Sequence, residues 1–593
     1  MKRLLAYLKP HRWTMTGATL LVLLIIVVEL YRPIIIGDAI DNYINNPALS
    51  ADEAFRGLLA AAGFYLVMLL LGFVFNALDT WMLQKMGQQI IYRMREEVFT
   101  HIHSLSLSFF NTTPVGKLVT RVSNDTEAIN ELFTTILVKL FKNVVKILGY
   151  AVVMVSISPQ MALVSFALLP VVAGLTFFFR YLSRKAYQIT RNRITEINTF
   201  LSEHLSGMKL IQIFAREEQK YREFEHRSEE LYRANWREVM TFAIFRPLIY
   251  LLSIVAMVLV IGTGSRAVLG GTLSMGTLFI FITYINNFFE PIQELAEQFG
   301  TLQSSLASAE KVFSILDEKP QIVSPANPVM VDIRGRIEFR HVWFAYDKAQ
   351  EEPGTEVPDK QEPEEADYIL KDVSFVIEPG EKVAFVGATG AGKSTILNLI
   401  GRYFDIQQGE ILIDGVNIAD IDTDVLRTAI GQVQQDVFIF TGDIKNNISL
   451  YNDEISPEQI RQAAHIVHAD TFIEKMPGGF DAPVTERGST LSAGQRQLLS
   501  FARTLVYDPV ILVLDEATAN IDTETESLIT KALEVLMEGR TTIMVAHRLS
   551  TIQHADNIIV LDHGQIMESG THQELLQQDG VYKKLYELQL LAE

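Results

Sequence analysis

Cysteine is absent from all 593 residues. That excludes a disulfide framework, an iron–sulfur cluster and thiolate-ligated zinc, and it leaves the redox compartment open. Basic residues are in deficit too: 51 lysines and arginines face 70 carboxylates, a formal net charge of −19. This balance argues against nucleic acid, which would select a basic face. Part of the acidity is local. Lys348 to Tyr368 holds eight carboxylates and two lysines, and residues 348–367 read as an acidic, solvated, disordered insertion. Glycine and proline are nearly missing from 181–240, a charged and periodic stretch, so a long helix is expected there.

The chain is rich in apolar residues, which make up 49% of it. Six apolar stretches precede residue 300, at about 14–36, 57–78, 137–158, 160–179, 242–265 and 274–298. Each approaches the roughly 20 residues needed to cross a bilayer. The first runs into Tyr31, Arg32 and Pro33 without a small-residue cleavage pattern, so it is a span and not a signal peptide. Lysine and arginine crowd the N-terminus, 79–136 and 180–241; the 37–54 loop has none and the 266–273 loop has only Arg266. The positive-inside rule then places both termini and both long connections in the cytoplasm.

Several charges fall within these spans. Glu29, three residues before Arg32, is expected to pair with it or to snorkel, the alternative being a substrate or proton role. Lys139, Lys142 and Lys146 share one helical face and are expected to snorkel to the inner headgroups, the alternative being a cationic cavity lining. Tyr284, Phe288 and Phe289 either pack in the bundle or line a pocket.

From about Ile337 short β runs alternate with helices. A buried strand, Lys382 to Val386, leads into Gly387, Ala388, Thr389, Gly390, Ala391, Gly392, Lys393 and Ser394, with Thr395 opening the next helix. This is G-x-x-x-x-G-K-S/T in its strand–loop–helix context, a cradle for ATP phosphates. Lys393 is expected at the β- and γ-phosphates and Ser394 at Mg²⁺. A second buried strand, Val510 to Leu514, ends in Asp515 and Glu516. Asp515 suits Mg²⁺ and Glu516 the general base for attacking water. His547, after a further β run, is placed to orient that water. Tyr346 can stack on adenine, and Gln435, on a flexible loop with Phe440 and Gly442, can reach Mg²⁺ and water. Leu491, Ser492, Ala493, Gly494 and Gln495 form a variant of LSGGQ.

In order and spacing these motifs resemble the ATP-binding cassette of ABC transporters. The resemblance identifies Tyr346 with the A-loop, Gly387–Ser394 with Walker A, Gln435 with the Q-loop and Leu491–Gln495 with the signature. It identifies Asp515 and Glu516 with Walker B and the catalytic glutamate, Ala519–Asp522 with the D-loop and His547 with the switch histidine. The membrane half is similar to six-helix exporter halves, with coupling helices near Phe110–Gly116 and Leu210–Phe214.

The resemblance implies a multidomain membrane protein: an all-α six-helix transmembrane domain (1–318), a linker (319–334) and an α/β P-loop ABC nucleotide-binding domain (335–593). It implies ATP and Mg²⁺ as cofactors and a bacterial, multi-pass location in the cell membrane with the cassette cytoplasmic. The implied activity is ATP-driven export of small hydrophobic or amphipathic compounds, drugs included. In such exporters ATP is clamped between one chain's phosphate loop and the other chain's signature. Ala493, replacing a signature glycine beside an intact Glu516, favours a second, non-identical half-transporter chain over a homodimer. A homodimeric lipid flippase or exporter is the alternative; an ATP-gated channel is a rival of another class.

Overall fold

A computed structural model describes residues 2–346, 367–515, 523–545 and 552–590. Residues 348–366 of the acidic insertion, Glu516, Ala519–Asp522 and His547 lie outside the described residues. The chain divides into two compact units, Met1–His103 with Gly116–Asp317, and Ser104–Val115 with Glu318–Glu593.

The first unit is helical throughout. Its long helices are α1 (Arg12–Ala39), α2 (Ala51–Ser104), α3 (Leu137–Ile157), α4 (Leu169–Ser206), α5 (Glu217–Leu269) and α6 (Met275–Asp317). Pro159 and Pro33 do not end this pattern. Pro159 opens a short helix capped by Ser158, and Pro33 stays inside α1. The most apolar stretch of α2 buries none of its residues within the chain. A helix apolar on every side has to meet lipid or protein. Among the described residues, five helical segments are long and apolar enough to cross a membrane, and α6 is not one of them. Asn286, Asn287, Glu290, Gln293 and Glu294 interrupt its apolar run, which accounts for the difference from the six spans expected.

Tertiary contacts also redirect the intramembrane charges. Glu29 pairs with Lys146 from α3 at 2.5 Å, with Lys142 at 3.9 Å, and not with Arg32. Arg32 donates instead to the Tyr65 hydroxyl at 3.0 Å. Lys142 and Lys146 are therefore held by a carboxylate within the bundle and do not snorkel. Tyr284, Phe288 and Phe289 are at most 3% exposed. Tyr284 packs against Tyr150 with ring centroids 5.3 Å apart and donates to the carbonyl of Leu30. These aromatics pack the core.

The second unit is built on two large sheets and a two-stranded third, β7 (Gly442–Asp443) with β8 (Pro483–Val484). An antiparallel sheet runs β2 (Leu370–Ile377), β1 (Ile337–Phe344), β4 (Gln408–Ile413), β5 (Val416–Asn417). The central sheet has the order β12-β11-β3-β10-β9-β6, with β3 (Lys382–Val386), β6 (Ile430–Val433), β9 (Ile511–Asp515), β10 (Thr541–Val545), β11 (Asn557–Asp562) and β12 (Gln565–Gly570). Only β12 is antiparallel to its neighbour. The inner strands β3, β9, β10 and β11 read as nearly unbroken apolar runs because both faces are covered. Alternation sends Val383, Phe385, Ile511, Val513, Ile543 and Val545 to one core, and Ala384, Val386, Leu512, Leu514 and Met544 to the other.

Small residues set the α1–α6 contact. A Cβ on Gly276 would stand 2.0 Å from the carbonyl oxygen of Gly37, and the Gly276 amide donates to Asp41 at 2.7 Å. Gly276→Ala is expected to cost about 1–3 kcal/mol through overpacking. Gly63→Ala, where nothing lies within 4 Å, should leave stability unchanged or slightly raised. Thermal unfolding of both variants in detergent checks the contrast; equal unfolding temperatures would refute it.

Candidate functional site

Register places the candidate residues along one edge. In the central sheet Val545 pairs with both Phe385 and Asp515, and Val433 pairs with Leu514. Strands β3, β10, β9 and β6 thus finish nearly level, each pointing the same way. The chain leaves these ends into Gly387, into the residues before His547, into Glu516 and into Gln435. Ligands of open parallel sheets bind outside such carboxyl ends.

The loop after β3 closes tightly. A Cβ at Gly387 would fall 2.2 Å from the carbonyl oxygen of Leu561, so only glycine fits. Gly392 has φ +104° and caps the helix Lys393–Ile400; a side chain there would be strained. The helix starts against the loop, so its free N–H groups and dipole suit an anion. Lys393, 6% exposed, curls back and donates to the carbonyls of Gly387 at 2.9 Å and Ala388 at 3.0 Å. Its ammonium is therefore held inside the loop. Ser394 is exposed and Thr395 is buried.

Tyr346 reaches the same loop from β1, its hydroxyl 3.3 Å from Thr395 Oγ1. Two residues that sequence reasoning missed position it. Phe404 stands edge-on to its ring at 5.0 Å. Gln407 both accepts from the Ala345 amide at 2.9 Å and donates to the Ala345 carbonyl at 2.8 Å. Both lie about sixty residues away in sequence, and no local motif marks them.

Gln435 is exposed at the start of the next loop. That loop was expected to be flexible, yet its later part is pinned. Asn447, fully buried, accepts from the Phe440 amide at 2.9 Å and donates to the carbonyls of Phe440 and Asp443. Arg503 donates to the carbonyls of Asn447 and Phe438, and burial pulls its guanidinium below the usual arginine range. This frame holds Phe438 and Phe440 about half exposed, their rings 5.0 Å apart.

Ser492 and Gln495 have a structural role first. They form a capping box on the helix Ala493–Val506: Ser492 Oγ accepts from the Gln495 amide at 3.2 Å, and Gln495 Oε1 accepts from the Ser492 amide at 2.9 Å. Arg496 donates to the Leu491 carbonyl at 2.7 Å. Ala493 is the first residue of the helix and has no positive φ, so its backbone does not need glycine. Leu491 joins one core, whereas Ala391 and Leu397 of the phosphate loop and its helix join the other. Signature and phosphate loop therefore lie on opposite faces of the central sheet.

Asp515 is partly buried at the end of β9. No cluster of three His, Asp or Glu side chains among the described residues could hold a metal ion unaided. A hard cation such as Mg²⁺ is often bound by one or two protein oxygens plus substrate phosphates. The oxygens of Ser394, Gln435 and Asp515 fit that mode.

Comparison with known proteins gives the same two-part division. Residues 15–292 match the ABC transporter transmembrane region and residues 370–519 match the ABC transporter family. A probable multidrug resistance ABC transporter ATP-binding/permease protein of Bacillus subtilis is 38% identical, over 90% of this chain and 77% of that one. An ATP-dependent lipid A-core flippase of Desulfotalea psychrophila is 37% identical, over 86% of each chain. The solved structure of a bacterial Atm1-family ABC exporter with ATP bound superposes with a TM-score of 0.80 at 28% identity, covering 98% of both chains.

The capping box yields a direct test. Ser492→Ala and Gln495→Ala should each cost about 1 kcal/mol of stability. Thermal unfolding of the full chain measures the loss, and an unaltered transition would show that the cap contributes nothing.

Proposed function

This chain belongs to the ABC transporter family, with a membrane region and its ATPase on one polypeptide, and from that premise we propose how it works. As a family member it is a multi-pass membrane protein that binds ATP and couples its hydrolysis to transport. Its cargo, on our reading, is small hydrophobic or amphipathic compounds exported across the cell membrane by a two-chain assembly. The level row of strand ends carrying Gly387, Gln435, Asp515 and the entry to Glu516 and His547 is the observation that supports the mechanism.

In that mechanism the amides of Gly387–Ser394 and the ammonium of Lys393 hold the β- and γ-phosphates, while Tyr346 stacks on adenine. Ser394, Gln435 and Asp515 would hold Mg²⁺, which when bound offsets negative charge on the phosphates. Glu516 takes a proton from the attacking water, and His547 and Gln435 orient that water. Ser492, Ala493, Gly494 and Gln495 serve the partner chain's nucleotide, in keeping with their position on the opposite sheet face from this chain's own phosphate loop. The exposed apolar residues Leu210, Ile213 and Phe214, beside the short helix Met208–Ile213, suit a contact with the partner. A non-identical partner is supported by Ala493 beside an intact Glu516. The flippase relative supports lipid as a second class of cargo.

Glu516→Gln should preserve ATP binding and lower turnover by about a hundredfold or more. Phosphate release and equilibrium ATP binding measure the two effects; normal turnover would remove Glu516 from the role of base. Purified alone, the chain should sustain little substrate-stimulated hydrolysis if its partner differs from it. A self-sufficient, active dimer of this chain would refute that assignment.

A further inference from the structure

Helices α4 and α5 run side by side, and two contacts tie them together. Where their apolar runs meet, Phe179 stacks on Phe245 with ring centroids 3.7 Å apart. Further along, Arg193 bonds to Glu230 at 3.0 Å. Beside this stretch lies a cavity of about 980 Å³, bounded by both helices. Pro247 lines it from inside α5. A proline there cannot donate to the Ala243 carbonyl and bends the helix, a physical reason for a gap between two otherwise paired helices. The cavity lies where the apolar run of α4 ends, near residue 179, and that of α5 begins, near 242. The lysine and arginine excess assigns this level to the inner headgroups.

Its lining is mixed. Thr190 is 6% exposed, and its hydroxyl is buried with no hydrogen-bond partner among the described residues. A buried hydroxyl left in that state is costly and calls for an explanation. Arg191 and Arg246 line the same cavity, with Glu238 against them, so its charge is net positive. Val239 and Ala243 add apolar surface beside Pro247. A phosphate group would accept from the Thr190 hydroxyl and from guanidinium N–H groups, the strong charge-assisted kind of hydrogen bond. The apolar side would take a hydrocarbon chain.

We propose that this cavity holds the headgroup of an anionic phospholipid of the inner leaflet. Thr190, Arg191 and Arg246 bind its phosphate, and Val239, Ala243 and Pro247 support an acyl chain. Basic pockets between membrane helices on the cytoplasmic side suit such headgroups. The lipid is a bound ligand bridging α4 and α5 and not the exported cargo, so the inference goes beyond the export reading. A lipid without net charge gains less here, because its own cation offsets the attraction that the arginines supply.

The test is native mass spectrometry of the full-length, nucleotide-free protein in detergent, titrated with phosphatidylglycerol and with phosphatidylcholine of the same acyl chains. Glycerol 3-phosphate, added as a competitor, offers a phosphate without chains. The wild type should bind phosphatidylglycerol at least roughly tenfold more tightly than phosphatidylcholine. Glycerol 3-phosphate should compete only at about a hundredfold higher concentration or more. Arg191→Gln should weaken phosphatidylglycerol about tenfold and leave phosphatidylcholine within about threefold. Arg191→Lys, which keeps the charge, should retain most of the preference. Lys139→Gln removes an exposed cation on α3 that does not line the cavity, and it should change neither lipid's binding. No phosphatidylglycerol preference in the wild type, a preference that survives in Arg191→Gln, or an equal loss in Lys139→Gln would each overturn the proposal. Glycerol 3-phosphate binding as tightly as the lipid would also overturn it, by making the ligand a soluble phosphate.

Discussion

Parallel pairing in the central sheet is the constraint on which the site depends. Strands β3, β10, β9 and β6 are hydrogen-bonded in a register that brings their carboxyl ends level, and a one-residue slip would turn each strand's side chains to the other face. The phosphate loop, the Gln435 loop and the Asp515 strand end are spread along the chain from Gly387 to Asp515. They meet only because backbone pairing aligns the strands that precede them. Strands β3, β9 and β10 are buried on both faces, so their register is fixed by two cores at once.

The same sheet explains why an ATPase of this kind works with a second chain. The phosphate-loop helix packs on one face and the signature helix on the other. Ser492 and Gln495, read in sequence as ATP contacts, also spend their side-chain and backbone groups on capping their own helix. A cap of this kind fixes where the helix begins. Ala493 fits as the first residue of that helix without backbone strain.

In the membrane unit, electrostatics does the corresponding work. Hydrocarbon tolerates charge only when it is paired or turned toward water. Glu29 and Lys146 meet that requirement by pairing between helices. Close glycine contact at Gly37 and Gly276 brings α1 and α6 together.

Much was legible in the residues themselves. Apolar runs gave the helices of the first unit, because crossing hydrocarbon demands them. The glycine-rich loop, Asp515 and the signature could be found because phosphate chemistry requires particular groups at short spacing. Long-range partners were not legible. Glu29 was expected to pair with its neighbour Arg32, yet Lys146, more than a hundred residues away, is its partner. Tyr284, Phe288 and Phe289 remained ambiguous until packing buried them. Asn447, Arg503, Phe404 and Gln407 hold the loops around the site, but nothing local marks them, since their chemistry is ordinary and only their location matters. The sequence by itself determined which groups are present and which short segments can form, because spacing along a chain sets local geometry. Which groups meet and which are buried were decided by tertiary packing, because burial and pairing join residues that the chain itself keeps far apart.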